Sequence, residues 1–463
     1  MIQSNPLEQA PGPDNPAMKA PAPGAPGRST SVQGRPHLVV VGGGVAGLEV
    51  ATRLARKWQR KNNAPRITLV DHDSAHVWKP MLHTIAAGTR DISQQQTPYV
   101  AQAHNAGFVY QPGALRGLDR AARTISIAPL LASDGRVLIP ARTLAYDRLV
   151  LAVGSRANDF GTPGVAEHCF MIDSRPQAVH FNAEVRVRLF QALASRHDVT
   201  IAIVGGGATG VELAAELVQL VQTSVAYGAD ELESRVSVLL IQSGERLLPA
   251  LPADVAAAVQ QRLESLGVTV KLHATVTSVD AAGLTLDDGS HIPASPVVWA
   301  AGVMAPAFLK QLDGLETTRS NQLVVNAGLQ TTRDPAIFAL GDCSSLLMEG
   351  AERPLPPTAQ VAHQQADHFV RHIDAIMTQG AALPAFRYRD MGSLVSLGDY
   401  DAYGSLGKAG LFKGVTIRGR IAQLGHVLLY REHQSRLHGF WKGSLMWFVD
   451  VLNSRLHPRI RLD

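Results

Sequence analysis

The stretch His37 to Ala51, HLVVVGGGVAGLEVA, limits the fold more than any other part of this 463-residue chain. Its β-branched apolar run Leu38-Val39-Val40-Val41 predicts a buried parallel strand, and the strand passes directly into Gly42-Gly43-Gly44-Val45-Ala46-Gly47 and a helical pattern. Strand, glycine loop and helix in this order make a dinucleotide fingerprint. Gly42 permits the tight turn, Gly44 lets the backbone approach a pyrophosphate, and Gly47 lets the helix pack close to the strand, so that the helix N-terminus faces the anion. A glycine loop alone carries little weight; the flanking strand and helix make it specific.

The stretch has a twin. Ile201 to Ala214, IAIVGGGATGVELA, repeats it with Gly205, Gly207 and Gly210 in the places of Gly42, Gly44 and Gly47. Two fingerprints imply two dinucleotides, and hence an α/β fold with two Rossmann-like domains. An acidic residue also recurs just past the last glycine, as Glu49 and Glu212. A carboxylate in the first helical turn gains about 0.3–1 kcal/mol from the helix dipole, which explains the recurrence without a catalytic role.

Strand ends supply further candidates. Arg66 to Val70 reads as a second strand ending in Asp71, roughly 25 residues past the loop, where a ribose-binding carboxylate is expected. In the second unit Val236 to Ile241 ends instead in Gln242, which can hydrogen-bond a ribose 2′-hydroxyl but would not repel a 2′-phosphate. Small residues end two more strands, at Leu151 to Gly154 and at Trp299-Ala300-Ala301-Gly302, and small residues there let the backbone come close to a ligand. Thr332 to Asp342 is a turn and a strand closing on Gly341-Asp342, and returns the chain to the first unit. Arg123 to Ile127 is the clearest strand of a short antiparallel excursion. HVWKPMLHTIAAG, from His76 to Gly88, is too mixed in period to predict an element. Its histidines, read with His72 and His37, match no metal spacing, and no metal site is expected.

With 46% hydrophobic and 18% charged residues the chain can bury substantial cores. A formal charge of +4 is mild and could suit nucleic acid, an anionic membrane surface or nothing in particular; no nucleic-acid partner is expected. Cys169 and Cys343 are far apart and are the only cysteines, so neither a disulfide framework nor a thiolate cluster is indicated, and a reducing, cytosolic setting fits. Met1 to about Arg35 is dominated by Pro, Ala, Gly and Ser, predicts a disordered tail, and lacks the apolar core of a secretory signal.

From about Pro36 onward the chain resembles the two-dinucleotide flavoprotein reductases, and among them the bacterial type II NADH dehydrogenases, or NADH:quinone oxidoreductases. What narrows the resemblance is Pro356 to Ala366, PPTAQVAHQQA, which is similar to the AQxAxQ quinone motif of that family. HVWKPMLH, ERLLPALP, QTTRDPAIFALGDC and YRDMGSLVSLG are similar to family segments too. The family often has Glu where Gln242 stands and Lys where Arg389 stands. The resemblance implies FAD on the first loop, held by Gly42, Gly44, Gly47, Asp71, Gly154, Gly341 and Asp342. NADH, with NADPH possible, would use Gly205, Gly207, Gly210, Gln242, Ala301 and Gly302. Gln360 and Gln364, four apart on one helical face, would line the quinone pocket, and Glu212 would relay protons.

The expected organisation is a tail (1–35), a first FAD-binding part (36–155), an NAD(P)H-binding domain (156–304), a second FAD-binding part with the quinone motif (305–385), and a C-terminal membrane-anchoring or dimerisation region (386–463). In the last region His438 to Asn453 carries Trp441, Leu445, Phe448 and Leu452 at helical spacing, with Arg431, Arg436, Lys442, Arg455, Arg459 and Arg461 around it. It is too short and too charged to span a bilayer, which takes about 20 apolar residues, and it predicts a helix in the headgroup plane. The same region could join a homodimer. The implied activity is hydride transfer from NADH to FAD and electron transfer to a membrane quinone without proton pumping, in a peripheral enzyme at the cytoplasmic face of the cell membrane. Two rivals remain: a thiol-dependent reductase of the sulfide:quinone type, and a flavin-loaded membrane-docking redox sensor.

Overall fold

His37–Val41 is the strand from which the first sheet is built, paired in parallel with Arg66–Asp71 on one side and Arg148–Leu151 on the other. The computed structural model describes residues 34–89, 96–226, 228–379, 383–406 and 416–456, and Arg35–Asp463 form one compact unit. The tail up to residue 33, Arg459 and Arg461 lie outside the described residues. The first sheet runs Gln330–Thr331, Asp334–Ala339, Arg148–Leu151, His37–Val41, Arg66–Asp71, Val109–Pro112. It is parallel throughout except where Gln330–Thr331 turns back on Asp334–Ala339. Because the chain leaves His37–Val41 in one direction and returns on its other side, a crevice opens at the strand ends, beside Gly42 and Ala152.

The second sheet repeats the plan, in the order Cys169–Phe170, Val297–Trp299, Val199–Val204, Val236–Ile241, Val268–Lys271, all parallel. Its strands read as continuous apolar runs because both faces are covered: Ile201, Ile203, Val238 and Leu240 pack on helices, and Ala202, Val204, Leu239 and Ile241 pack on an antiparallel sheet of Val276–Asp280, Gly283–Leu286 and His291–Pro293. The segment that defied a periodic reading resolves into the strand Ala75–Val77, a single tight turn Lys79–Met81 and the helix Leu82–Ala87, ended by Gly88 in the left-handed conformation. That helix packs on Arg175–Ser195 and Ala208–Ala226, and its Leu82, Ile85, Ala86 and Ala87 belong to the apolar core of the second sheet. The antiparallel excursion is a three-stranded sheet of Leu115–Asp119, Thr124–Ile127 and Arg142–Ala145. Arg123, expected to open its middle strand, instead sits at φ +53 in the turn that precedes it.

Past residue 385 the strands Gly392–Leu397, Asp401–Leu406 and Thr416–Arg418 form an antiparallel sheet against Ala208–Ala226 and the helix Arg420–His438. Gly439, at φ +86, ends that helix and the next, Phe440–Leu456, turns back on it. No helix among the described residues is long and apolar enough to cross a membrane.

In both units the helix after the glycine loop touches the strand through a glycine. A Cβ on Gly47 would lie 1.8 Å from the Gly42 carbonyl oxygen, and one on Gly210 would lie 2.0 Å from that of Gly205. Gly47→Ala is therefore expected to cost about 3 kcal/mol or more, since overpacked backbone contacts have no side chain to yield. Thermal unfolding of the variant tests this; a melting curve matching the parent would remove the close contact from the account of the fold.

Candidate functional site

One continuous cleft of about 1890 Å³ runs between the two sheets and under the C-terminal region. Gly42, Gly44, Asp71, Gly154, Gly341 and Asp342 line it from the first unit, Gly207 and Glu212 from the second, and Gln360 and Gln364 from the helix Ala359–Gln379. The remaining expected residues, Gly47, Gly205, Gly210, Gln242, Ala301 and Gly302, stand behind this surface. A Cβ on Gly44 would meet only the Ala152 carbonyl, at 3.9 Å, and one on Gly207 or Gly154 would meet nothing within 4 Å. At these three positions the missing side chain leaves open space, the cradle that a dinucleotide's phosphates require.

The loops are held by the residues that end the neighbouring strands. Asp71 Oδ2 accepts the Gly43 N–H at 2.5 Å, and in the second unit Gln242 Oε1 accepts the Gly206 N–H at 2.8 Å. Gln242 thus does for its loop what Asp71 does for the first, and its amide NH₂ remains as a donor. Ala301 backs the second loop, its Cα only 2.7 Å from where a Gly205 Cβ would stand, and Gly302 lies under the Phe160 ring. The small residues there also admit the glycine loop and an aromatic ring.

Asp342 sits in the tight turn Gly341–Cys343 and accepts the Ser155 hydroxyl at 2.7 Å. Gln365, which sequence reasoning passed over, fixes that turn by accepting the Gly341 N–H at 2.6 Å. Gln360 and Gln364 do share a face, and both amides bind a single strap of chain. Gln360 donates to the Gly392 carbonyl and accepts from Tyr388, while Gln364 donates to the Arg389 carbonyl and accepts the Arg389 N–H. They shape the cleft wall by tying the helix to the strap.

The dipole account of the paired acids fails. The helices are Val45–Trp58 and Ala208–Ala226, and neither has an acidic residue in its first turn; Glu49 and Glu212 sit one turn in, and both are buried. Glu49 is fully enclosed, bonded to His363 Nδ1 at 2.5 Å, Arg53 at 2.5 Å and Arg436 at 3.1 Å. Burial pushes its carboxyl up, but these three partners outweigh burial and hold it below the usual range. Glu212 is 6% exposed and has milder company: the Ser396 N–H at 3.1 Å and His83 Nδ1 at 3.4 Å. Burial, opposed by the Ser396 bond and reinforced by the charge of Glu216, pushes its carboxyl up to about 8. It therefore stands protonated near neutral pH.

The pyridine nucleotide-disulphide oxidoreductase family matches residues 36–366. The type II NADH:quinone oxidoreductase of Haemophilus influenzae is 41% identical over 445 residues, covering 92% of this chain and 99% of its own length. That of Staphylococcus aureus is 27% identical over 380 residues, covering 80% and 90%. The chain belongs to the type II NADH:quinone oxidoreductase family. In fold it is similar to NDH2 from Plasmodium falciparum, solved in complex with NADH, with a TM-score of 0.78 at 17% identity over 92% of this chain and all of that one. A sulfide:quinone oxidoreductase from Aquifex aeolicus has a TM-score of 0.68, also at 17% identity, over 92% and 96%.

Family membership sharpens the contrast with thiol-dependent relatives. Cys169 lies in the second sheet and Cys343 in the buried core of the first, bonded to the Leu151 and Leu340 carbonyls. Burial pushes the two thiols up, to about 12 and about 11, so neither is a thiolate at neutral pH.

Because the Glu212 carboxyl is raised above its unfolded value of 4.5, its contribution to stability is complete below that value and is lost as pH rises through about 8. Glu212→Gln is expected to melt relatively higher than the parent as pH rises across this window, and to lose that relative gain under acid conditions. Parallel melting-temperature curves for parent and variant from about pH 4 to about pH 9 would refute the raised carboxyl.

Proposed function

We propose that this protein carries a hydride from NADH to FAD and passes two electrons to a membrane quinone, without pumping protons. The observation that carries this reading is the single cleft, onto which both glycine loops, the Asp342 turn and the Gln360–Gln364 helix face open. Bound FAD supplies the hydride acceptor and the two-electron relay between donor and quinone. The residues fit it: Gly44 and Gly154 leave room for its phosphates, and Asp71 and Asp342 present carboxylates to the same space. Gly207 offers the second cradle to the nicotinamide dinucleotide, and Gln360 and Gln364 hold the strap that walls the quinone side. Donor and acceptor share one cleft, so protons released and taken up exchange with one side, which supports uncoupled electron transfer. Acidification or alkalinisation inside sealed vesicles during turnover would overturn it.

Anaerobic NADH is expected to bleach the flavin of the yellow protein, and a short-chain quinone to restore it faster than oxygen does. Reoxidation by quinone no faster than by oxygen would favour a redox sensor. Gln242 presents its NH₂ where the family often has a carboxylate, so NADPH is expected to reduce the flavin as well. Gln242→Glu, by setting a negative charge against the 2′-phosphate, should lower the rate with NADPH relative to NADH by about tenfold or more.

The C-terminal helices support peripheral membrane binding, at what we propose is the cytoplasmic face of the cell membrane. Phe440, Trp441, Leu445 and Phe448 on one helix and Ile421, Leu424 and Leu428 on the other are exposed, Trp441 to 83%. Such a broad apolar surface on a folded chain marks an interaction site. Lys442, Arg418 and Arg420 are exposed near it. Arg431 and Arg436, expected to meet headgroups, are instead committed inward, to Asp450 at 2.8 Å and to Glu49 and Glu432. Two tryptophans, Trp441 and Trp447, suit the bilayer interface better than a dry partner surface, although a homodimer could use the same region. The double variant Trp441→Ser, Phe448→Ser should partition about tenfold less onto anionic vesicles. Unaltered partitioning, with a change in oligomeric state, would favour the dimer.

A further inference from the structure

His83 lines the same cleft as Glu212, is buried, and places Nδ1 3.4 Å from Glu212 Oε2. One turn along the helix from Glu212 lies Glu216, also buried, whose carboxylate accepts the hydroxyl of Thr89, a part-exposed residue just beyond the helix of His83. The strand Gly392–Leu397 covers the group from a third direction, with the Ser396 N–H bonded to Glu212. Tyr400 and Asp399, next to that strand, complete the titratable surroundings: Asp399 is bonded to Gln219, and the Glu216 charge acts on the Tyr400 hydroxyl. Among the described residues, then, two carboxyls and an imidazole stand enclosed together, two of them open to the cleft. Packing alone would be better served by apolar side chains, because desolvating acid–base groups is costly.

The net reaction explains what such a group could do. NADH, a proton and the quinone give NAD⁺ and the quinol: the C–H bond of the dihydronicotinamide breaks, its electron pair reduces the quinone, and two O–H bonds form. The hydride brings one of the two hydrogens, and the other must enter the cleft from water as a proton. We propose that His83 and Glu212 share that proton and deliver it to the cleft, and that Glu216 reloads the pair from outside. This rests on the NADH:quinone reading above and assigns His83 a part in it. Transfer between Glu212 and the imidazole leaves the charge of the pair unchanged, so the proton moves along the wall of the cleft without a net change of buried charge. Once the proton is given up, an anion is left beside Glu216, and their repulsion draws the next proton in.

The test uses the flavin-loaded full chain and separates the half-reactions. Bleaching by NADH transfers a hydride and takes up no proton from water, whereas reoxidation by a short-chain quinone must. In His83→Gln the ratio of reoxidation rate to bleaching rate is expected to fall about tenfold or more. The solvent deuterium isotope effect on reoxidation should rise with it. In Glu216→Gln the first reoxidation should be less affected than continuous turnover, and loss of the like charge should move the alkaline limb of reoxidation, scanned from about pH 6 to about pH 9, to lower pH. A His83→Gln protein with full flavin whose rate ratio and isotope effect match the parent would overturn the proposal. Should that variant lose flavin, a Glu216→Gln protein with the parent's alkaline limb would overturn it equally. Failure of the parent to be reoxidised by quinone would instead overturn the reading of the reaction itself.

Discussion

Everything at the site depends on the peptide of Gly43 being fixed on both faces. Its N–H is taken by Asp71, and its carbonyl accepts both the Tyr99 hydroxyl and His76 Nδ1, each at 2.9 Å. A loop without side chains has no rotamers to lock it, so its shape must come from strand ends and from neighbours that reach in. The carbonyl can only accept, which makes His76 Nδ1 the donor and leaves His76 Nε2 to accept from His433 Nε2 at 2.9 Å. The tautomers of two buried rings are thus dictated by one peptide group, and burial, which lowers the His76 pKa to about 4, keeps that ring neutral.

His433 belongs to the helix Arg420–His438, so this chain of bonds ties the exposed apolar surface of the C-terminal helices to the first loop. Glu49 makes a second tie. Its carboxylate, on the helix after that loop, holds His363 of the quinone motif and Arg436 of the C-terminal helix together. A buried carboxylate is tolerable only with such partners, and losing any one of them would leave a desolvated charge. Trp78, packed against His433 with ring centroids 4.1 Å apart and planes tilted by 36°, lies between the two ties. The C-terminal region is therefore built onto the loop and the helix Ala359–Gln379.

What the sequence makes legible is whatever depends on local backbone geometry. Both glycine loops, the residue that ends each following strand and the Gly341-Asp342 turn can be read without a structure, because each answers a demand made by its immediate neighbours. HVWKPMLHTIAAG could not be read by period, since its side chains answer four different partners: His76 the loop, Trp78 the C-terminal helix, Leu82 and Ile85 the second core, His83 the acid Glu212. The tryptophans and leucines past Gly439 show their pattern plainly. The inward turn of Arg431 and Arg436 does not, because nothing near them in sequence announces Asp450 or Glu49. Gln360 and Gln364 are visible as a pair, but their bonds to the strap at 388–392 are tertiary, and only the folded chain reveals them.

The paired acids make the same point chemically. Glu49 and Glu212 hold equivalent places in the two repeats, and both are buried one turn into their helices, yet one is held charged and the other neutral. The difference begins four residues on, where the first repeat has Arg53 and the second has Glu216. At that spacing the side chains are neighbours on one helix face, so Arg53 offers Glu49 a cation and Glu216 offers Glu212 a like charge. Tertiary surroundings widen the gap: His363 and Arg436 add positive charge around Glu49, whereas at Glu212 burial outweighs the Ser396 N–H that opposes it. One repeat thereby gains a fixed anion, suited to holding three elements together, and the other gains a group whose proton is exchangeable near neutral pH. Two equivalent buried carboxyls are thus separated in use by their surroundings: His363, ahead of Arg436 and Arg53, holds Glu49 low, and burial, with the Glu216 charge, holds Glu212 high.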